Sequence, residues 1–209
     1  MTPLELVELR DAITMRHAAA VIQLNDLEAA STDIQSTDHR SDAFAEAIFL
    51  RAFTAYENDV ERLFLHYVTG GGSLQGKAAN TYLRIQDEAH ARQVTKARQA
   101  FLSWAKPAEI RTTAKTYIED GWPFVDMMSA KEVDLADCER VRNRIAHNSI
   151  EARQQFNVVQ RNMLSTERLF DLSPGQFLRI RNTRLRKLHI GHYLDVLNDT
   201  LGALIDPLP

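Results

Sequence analysis

Apolar residues recur along this chain at three- and four-residue steps and do not alternate, which is the period of helices packed on one face. The first such stripe is Leu6, Leu9, Ile13, Ala20, Leu24 and Leu27. Ahead of it, Thr2, Pro3 and Glu5 supply an N-cap, a first-position proline and the acid of a capping box. The stripe fades into the polar runs Ser31-Thr32-Asp33 and Ser36-Thr37-Asp38, read as the first turn. A second long helix is expected over 38–68, with Phe49, Phe53, Tyr56, Val60, Phe64 and Tyr67 on one face. Such an aromatic stripe is far more often a buried helix face than a cofactor box. Gly70-Gly71-Gly72 then stops the helix. Further helices are expected over 77–104 and 107–120, with Gly121-Trp122-Pro123 breaking the second, and then near 132–147, 149–170 and 188–204. The last carries Ile190, Leu194, Leu197, Leu201 and Leu204. No strand pattern, internal repeat or composition shift interrupts this reading. The expected fold is all-α: one domain over 1–209, a helical bundle of two long N-terminal helices and several shorter C-terminal ones.

Composition removes whole classes without choosing a function. With 209 residues the chain can bury a self-sufficient core, and 44% hydrophobic against 25% charged residues excludes disordered, collagen-like and disulfide-scaffold proteins. Cys138 is the single cysteine, so neither an internal disulfide nor a cysteine zinc site is available. The apolar runs are too short to span a membrane, and the acidic start Met1-Thr2-Pro3-Leu4-Glu5 lacks a signal peptide's basic region; the expected location is the cytoplasm. The net charge of −3 conceals an uneven distribution. Residues 140–187 hold 11 basic and 3 acidic side chains, a balance of +8, while the rest of the chain balances at −11. The total therefore does not argue against an RNA partner.

That basic stretch opens on the segment richest in chemistry, Cys138-Glu139-Arg140-Val141-Arg142-Asn143-Arg144-Ile145-Ala146-His147-Asn148-Ser149. At helical spacing Leu135, Cys138, Val141 and Ile145 face the core, and Arg140, Asn143, Arg144 and His147 project to the other side. Asn148 suits a left-handed cap. Ser149 is a good N-cap for the next helix, with Glu151 in its first turn, so His147 falls at a helix–helix joint. A helix C-terminus favours an imidazolium, and the following helix N-terminus offers amides to an anion. Histidine moves protons near neutral pH, arginine holds its charge and can bind a phosphate bidentately, and asparagine both donates and accepts. Together they suit phosphodiester chemistry without a metal. The plainer reading is a solvated helix end with a capping histidine.

The string Arg142-Asn143-Arg144-Ile145-Ala146-His147 resembles the active-site motif of the HEPN superfamily (higher eukaryotes and prokaryotes nucleotide-binding). In that motif an arginine, usually followed by a polar residue, precedes a histidine by four to six intervening residues. Spacing alone carries nothing, since it recurs here at Arg10/His17, Arg84/His90, Arg140/His147, Arg184/His189 and Arg186/His192. The full string, a helix end and an all-helical chain carry the resemblance. It implies a metal-independent endoribonuclease with no cofactor, a homodimer whose two motifs meet in a cleft, acting as a toxin with a cognate antitoxin or as a phage-defence effector. His147 would then be the general acid or base for attack of the ribose 2′-hydroxyl, Arg142 would stabilise the transition-state charge, and Asn143 would orient the phosphate or His147. On a regular helix Arg142 and His147 lie about 140° apart, so they converge only where the helix ends or across two subunits. Some toxins of the superfamily carry a tyrosine two residues after the histidine; here the position is Ser149.

Other features are weighed beside the motif. Arg179, Arg181, Arg184, Arg186 and Lys187 form a basic cluster that, with Arg140 and Arg144, would hold RNA phosphates on the ribonuclease reading and is a solvated face otherwise. Phe156 and Phe177 are expected in the core rather than stacked on bases, and Glu57, Asn58 and Glu61 are candidate supports for the motif. His189-Ile190-Gly191-His192 spells the signature of class I aminoacyl-tRNA synthetases, but that chemistry needs a strand of a nucleotide-binding sheet before it; His192 is expected to pair with Asp195 instead. The alternative function is a non-catalytic helical module that binds RNA or a protein partner.

Overall fold

A computed structural model of the chain describes residues 1–30, 39–98, 103–165, 172–182 and 184–207. These residues form an all-α bundle. The long helices α1 (Pro3–Ala30) and α2 (His39–Val68) come first. They are followed by α3 (Glu88–Arg98), α4 (Pro107–Tyr117), α5 (Phe124–Ala130), α6 (Glu132–Ala146), α7 (Ile150–Leu164), α8 (Pro174–Arg179) and α9 (His189–Ile205). The capping box forms at the start of α1, where the Glu5 amide donates to Thr2 Oγ1 at 3.3 Å and the Thr2 amide donates to the Glu5 carboxylate. The polar turn expected at 31–38 lies outside the described residues.

Helix α2 is the axis of the bundle, packed by α1, α6, α8 and α9. Its aromatic stripe is core, with Phe49, Phe53, Val60, Phe64 and Tyr67 fully buried and Tyr56 nearly so. Phe64 lies 5.0 Å from Trp104 and 5.6 Å from Phe124, and the Tyr67 hydroxyl donates to the Leu204 carbonyl at 2.7 Å, tying α2 to the end of α9. The stripes on α1 and α9 turn inward as expected, and Phe156 and Phe177 meet edge-on in the core at 5.3 Å.

Three expectations need correction. The helix expected over 77–104 starts only at Glu88, after an irregular stretch in which Gly70 and Gly76 take positive φ. The first part of that stretch turns back on itself, the Ser73 amide donating to Lys77 at 2.9 Å, and its second part pairs with the end of α4: the Tyr82 amide donates to Tyr117 at 3.1 Å and the Glu119 amide to Asn80 at 2.7 Å. Tertiary pairing overrides the helical period of Ala79 and Ile85, which are buried all the same. Beyond Arg98, residues 99–102 are outside the description, as are 166–171 after α7, whose last turn closes on left-handed Ser165. Strand structure also exists, as a two-residue antiparallel hairpin of β1 (Arg181–Asn182) and β2 (Lys187–Leu188). Finally, α5 and α8 are absent from the sequence reading because each is too short to show a period, although Ser173-Pro174-Gly175-Gln176 spells the capping box that starts α8.

Helix α8 approaches α2 so closely that a Cβ on Gly175 would lie 2.4 Å from the Asp42 carbonyl oxygen, while the Gly175 amide donates to Glu46 Oε1 at 2.8 Å. Gly175→Ala is expected to lower stability by about 1–3 kcal/mol through this backbone clash. Gly202→Ala, in α9 with open space around it, is expected to raise stability by roughly 0.5–1 kcal/mol. Urea denaturation of the two variants checks both signs.

No helix among the described residues is long and apolar enough to cross a membrane.

Candidate active site

Helix α6 is held by Leu135, Cys138 and Val141, all buried, with Ile145 partly covered. This leaves the polar side chains of the motif on its remaining faces. The helix ends because His147 turns extended at φ −135° and ψ 132°, its amide still closing the last turn on the Asn143 carbonyl at 2.8 Å. Asn148 is not a left-handed cap. Its side chain instead accepts from Arg144 Nη1 at 3.0 Å, so the guanidinium spans the end of α6 and Asn148 needs no positive φ. Ser149 caps α7, its hydroxyl accepting from the Ala152 amide at 3.1 Å. Helices α6 and α7 thus form a hairpin with His147, Asn148 and Ser149 as its turn.

Arg142 has side-chain partners and His147 has none among the described residues. Arg142 Nη1 donates to Asn143 Oδ1 at 3.1 Å, and Nη2 faces Glu57 Oε2 of α2 at 3.9 Å. Asn143 Nδ2 in turn donates to Glu139 Oε1 at 2.7 Å. Partial burial pushes the Glu57 carboxyl up, and Arg142 opposes that shift. Of the three supports named from sequence, Glu57 alone meets the motif: Asn58 is exposed and Glu61 pairs with Arg92. Sequence reasoning missed Glu139, although it lies four residues before Asn143, one helical turn. The His147 imidazole is exposed and has no hydrogen-bond partner among the described residues, Arg142 included.

The helix N-terminus is less open than expected. The Glu151 carboxyl in the first turn of α7 is held below its ordinary range by its own backbone amide and by the Ser149 hydroxyl, which puts a negative charge beside the start of the helix. The remaining polar groups at this joint are the side chains of Arg142, Asn143 and Arg144.

The basic cluster divides into different kinds of residue. Arg179 is buried, with Nη1 donating to Asp42 Oδ1 at 2.8 Å, and it leaves the set of surface contacts. Arg140 is partly covered and bound to buried Asp137 at 2.8 Å. Arg181 pairs with Glu28 at 2.8 Å, and Lys187 pairs with Asp195. Arg184 and Arg186 are exposed and have no ion-pair partner among the described residues. They sit on the β1–β2 turn beside the far end of α7, where Asn182 Nδ2 donates to the Met163 carbonyl at 3.3 Å. Fifteen residues of α7 separate that end from the α6–α7 turn, roughly 22 Å of helix at about 1.5 Å per residue. Within one chain the cluster and His147 lie too far apart to grip the same phosphate.

The second histidine pair is structural. His192 Nε2 meets Asp134 of α6 at 3.2 Å rather than Asp195, which is taken by His17 at 2.9 Å and by Lys187. His189 is fully buried, its Nδ1–H donating to the Phe177 carbonyl at 3.0 Å, and burial lowers its pKa to about 4. The unfolded chain takes up this proton near 6.5 and the folded chain only near 4, so stability is lost as pH falls through that window. The slope from this group is at most about 1.4 kcal/mol per pH unit. Thermal unfolding from pH 7 to 4 is expected to show this loss, and His189→Gln to show a shallower one. No cluster of three or more His, Cys, Asp or Glu side chains able to hold a metal ion occurs among the described residues.

No protein-family model, curated protein or solved structure matches this chain.

Proposed function

We propose that this protein is a metal-independent endoribonuclease that acts as a homodimer, in the role of a toxin restrained by an antitoxin or of a phage-defence effector. The observation that carries the reading is the division of labour at the α6–α7 turn. A partly covered arginine faces Glu57 and bonds Asn143, and an exposed histidine with no side-chain partner among the described residues lies five residues on. The ribose 2′-oxygen attacks the adjacent phosphorus, the bond from phosphorus to the 5′-oxygen breaks, and the products are a 2′,3′-cyclic phosphate and a 5′-hydroxyl. His147 moves a proton, either off the attacking 2′-hydroxyl or onto the leaving 5′-oxygen. Arg142 stabilises the charge that builds on the phosphoryl oxygens. No hydrogen bond joins the two side chains within one chain, and on this reading the working site pairs Arg142 of one copy with His147 of another.

Incubation with a mixed RNA panel in excess EDTA tests the reading. Fragments ending in 2′,3′-cyclic phosphate are expected, and an intact panel would overturn it. The lack of a hydrogen bond between Arg142 and His147 also favours a second reading, a module that binds RNA without cutting it; a salt-sensitive gel shift with no cleavage is its signature.

A further inference from the structure

On the side of α2 away from the motif, α1, α2 and α9 enclose a groove of about 300 Å³. Ala55 lines it and Glu57 does not; the two lie about 160° apart around α2, so the groove and the Arg142 site are separate. Its walls are apolar, formed by Ile13, Ile48, Leu194, Leu197 and Leu201, and small residues of α1 and α2 keep it open. Its polar groups are unequal. Asp59 is buried in the wall and already neutralised by Arg16, with Arg62 at 3.7 Å. Arg51 stands exposed on the rim and has no ion-pair partner among the described residues. The groove therefore offers an apolar slot under one uncommitted cation.

We infer that this groove binds a soluble amphiphile with a single apolar chain and a carboxylate head, the chain lying between the three helices and the head on Arg51. At about 30 Å³ for a water-sized group the space holds roughly ten non-hydrogen atoms, which sets the chain near decanoate. Each methylene buried contributes about 0.8 kcal/mol, so affinity rises about fourfold per carbon while the slot fills and then levels off. The inference does not depend on ribonuclease activity, because its readout is binding alone.

The test is calorimetric titration of the intact protein with hexanoate, octanoate, decanoate and dodecanoate, each below its micelle concentration. Saturable binding of one equivalent, with a break in the chain-length series, is expected. Arg51→Gln, at an exposed position that leaves the fold intact, is expected to weaken decanoate at least tenfold. Ala19→Phe, reaching in from exposed α1, is expected to remove binding while circular dichroism stays unchanged. Three results would overturn the inference: no saturable heat for any alkanoate, affinity that climbs without a break, or binding indifferent to both variants. So would binding only to phosphatidylglycerol vesicles, which would mark a membrane-facing surface, or a dimer dispersed by Ala19→Phe, which would assign the groove to a second copy of the chain.

Discussion

His147→Ala is expected to lower RNA cleavage by about 10²–10⁴-fold with no change in unfolding midpoint, since proton transfer by a positioned side chain is worth that much and the imidazole holds nothing in the fold. Arg142→Ala is expected to cost about 10²–10³-fold, the range for removing one donor to a developing charge. Arg142→Lys should not rescue it, because a lysine keeps the charge but loses the planar fork that meets both Asn143 and a phosphate. Glu57→Gln is expected to act more weakly, loosening the position of Arg142 without touching substrate. The decisive arrangement is a mixture. Copies carrying His147→Ala and copies carrying Arg142→Ala, combined, leave one intact site in each mixed dimer if arginine and histidine come from different chains. Recovered cleavage is expected on that geometry, and none if a single chain supplies both groups. Cleavage by pure His147→Ala at the unaltered rate would end the ribonuclease reading.

What the sequence reveals about this molecule follows the range over which each signal acts. The long helices and their buried stripes are legible because fifteen or more residues repeat one period, and the capping box at Thr2 and Glu5 is a contact within a single turn. The irregular stretch before α3 is not legible, because the backbone partners of Tyr82 and Asn80, Tyr117 and Glu119, lie 35 or more residues away and no local pattern announces them. The same division runs through the candidate site. Ser149 as a cap and His147 at a helix end are readable from their neighbours. That Glu57 meets Arg142 and that His192 chooses Asp134 over Asp195 both depend on side chains reaching across helices. Charge shows the limit most plainly. Residues 179–187 read as one basic run, yet folding buries Arg179, pairs Arg181 and Lys187, and leaves Arg184 and Arg186 facing solvent.

Arg179→Ala is accordingly expected to destabilise the protein by about 3–5 kcal/mol, the cost of stranding a buried charge, here that of Asp42 at 5% exposure. The pair fastens the last turn of α8 to the first turn of α2, close to where Gly175 lets the two backbones meet. Replacing both partners by apolar side chains, Asp42→Leu with Arg179→Met, is expected to recover most of the loss, because desolvating two charges offsets much of their attraction. Urea denaturation of the two single variants and the double one measures the coupling directly. The neighbouring cations behave oppositely. Arg184→Ala with Arg186→Ala is expected to leave the urea midpoint within about 0.5 kcal/mol of the parent, as for surface changes in general. If RNA tracks past that turn, the pair also lowers the salt slope of binding by about one for each phosphate that is no longer neutralised. An Arg179→Ala protein that is fully stable yet weakened in RNA binding would reverse the assignment and return Arg179 to the surface set.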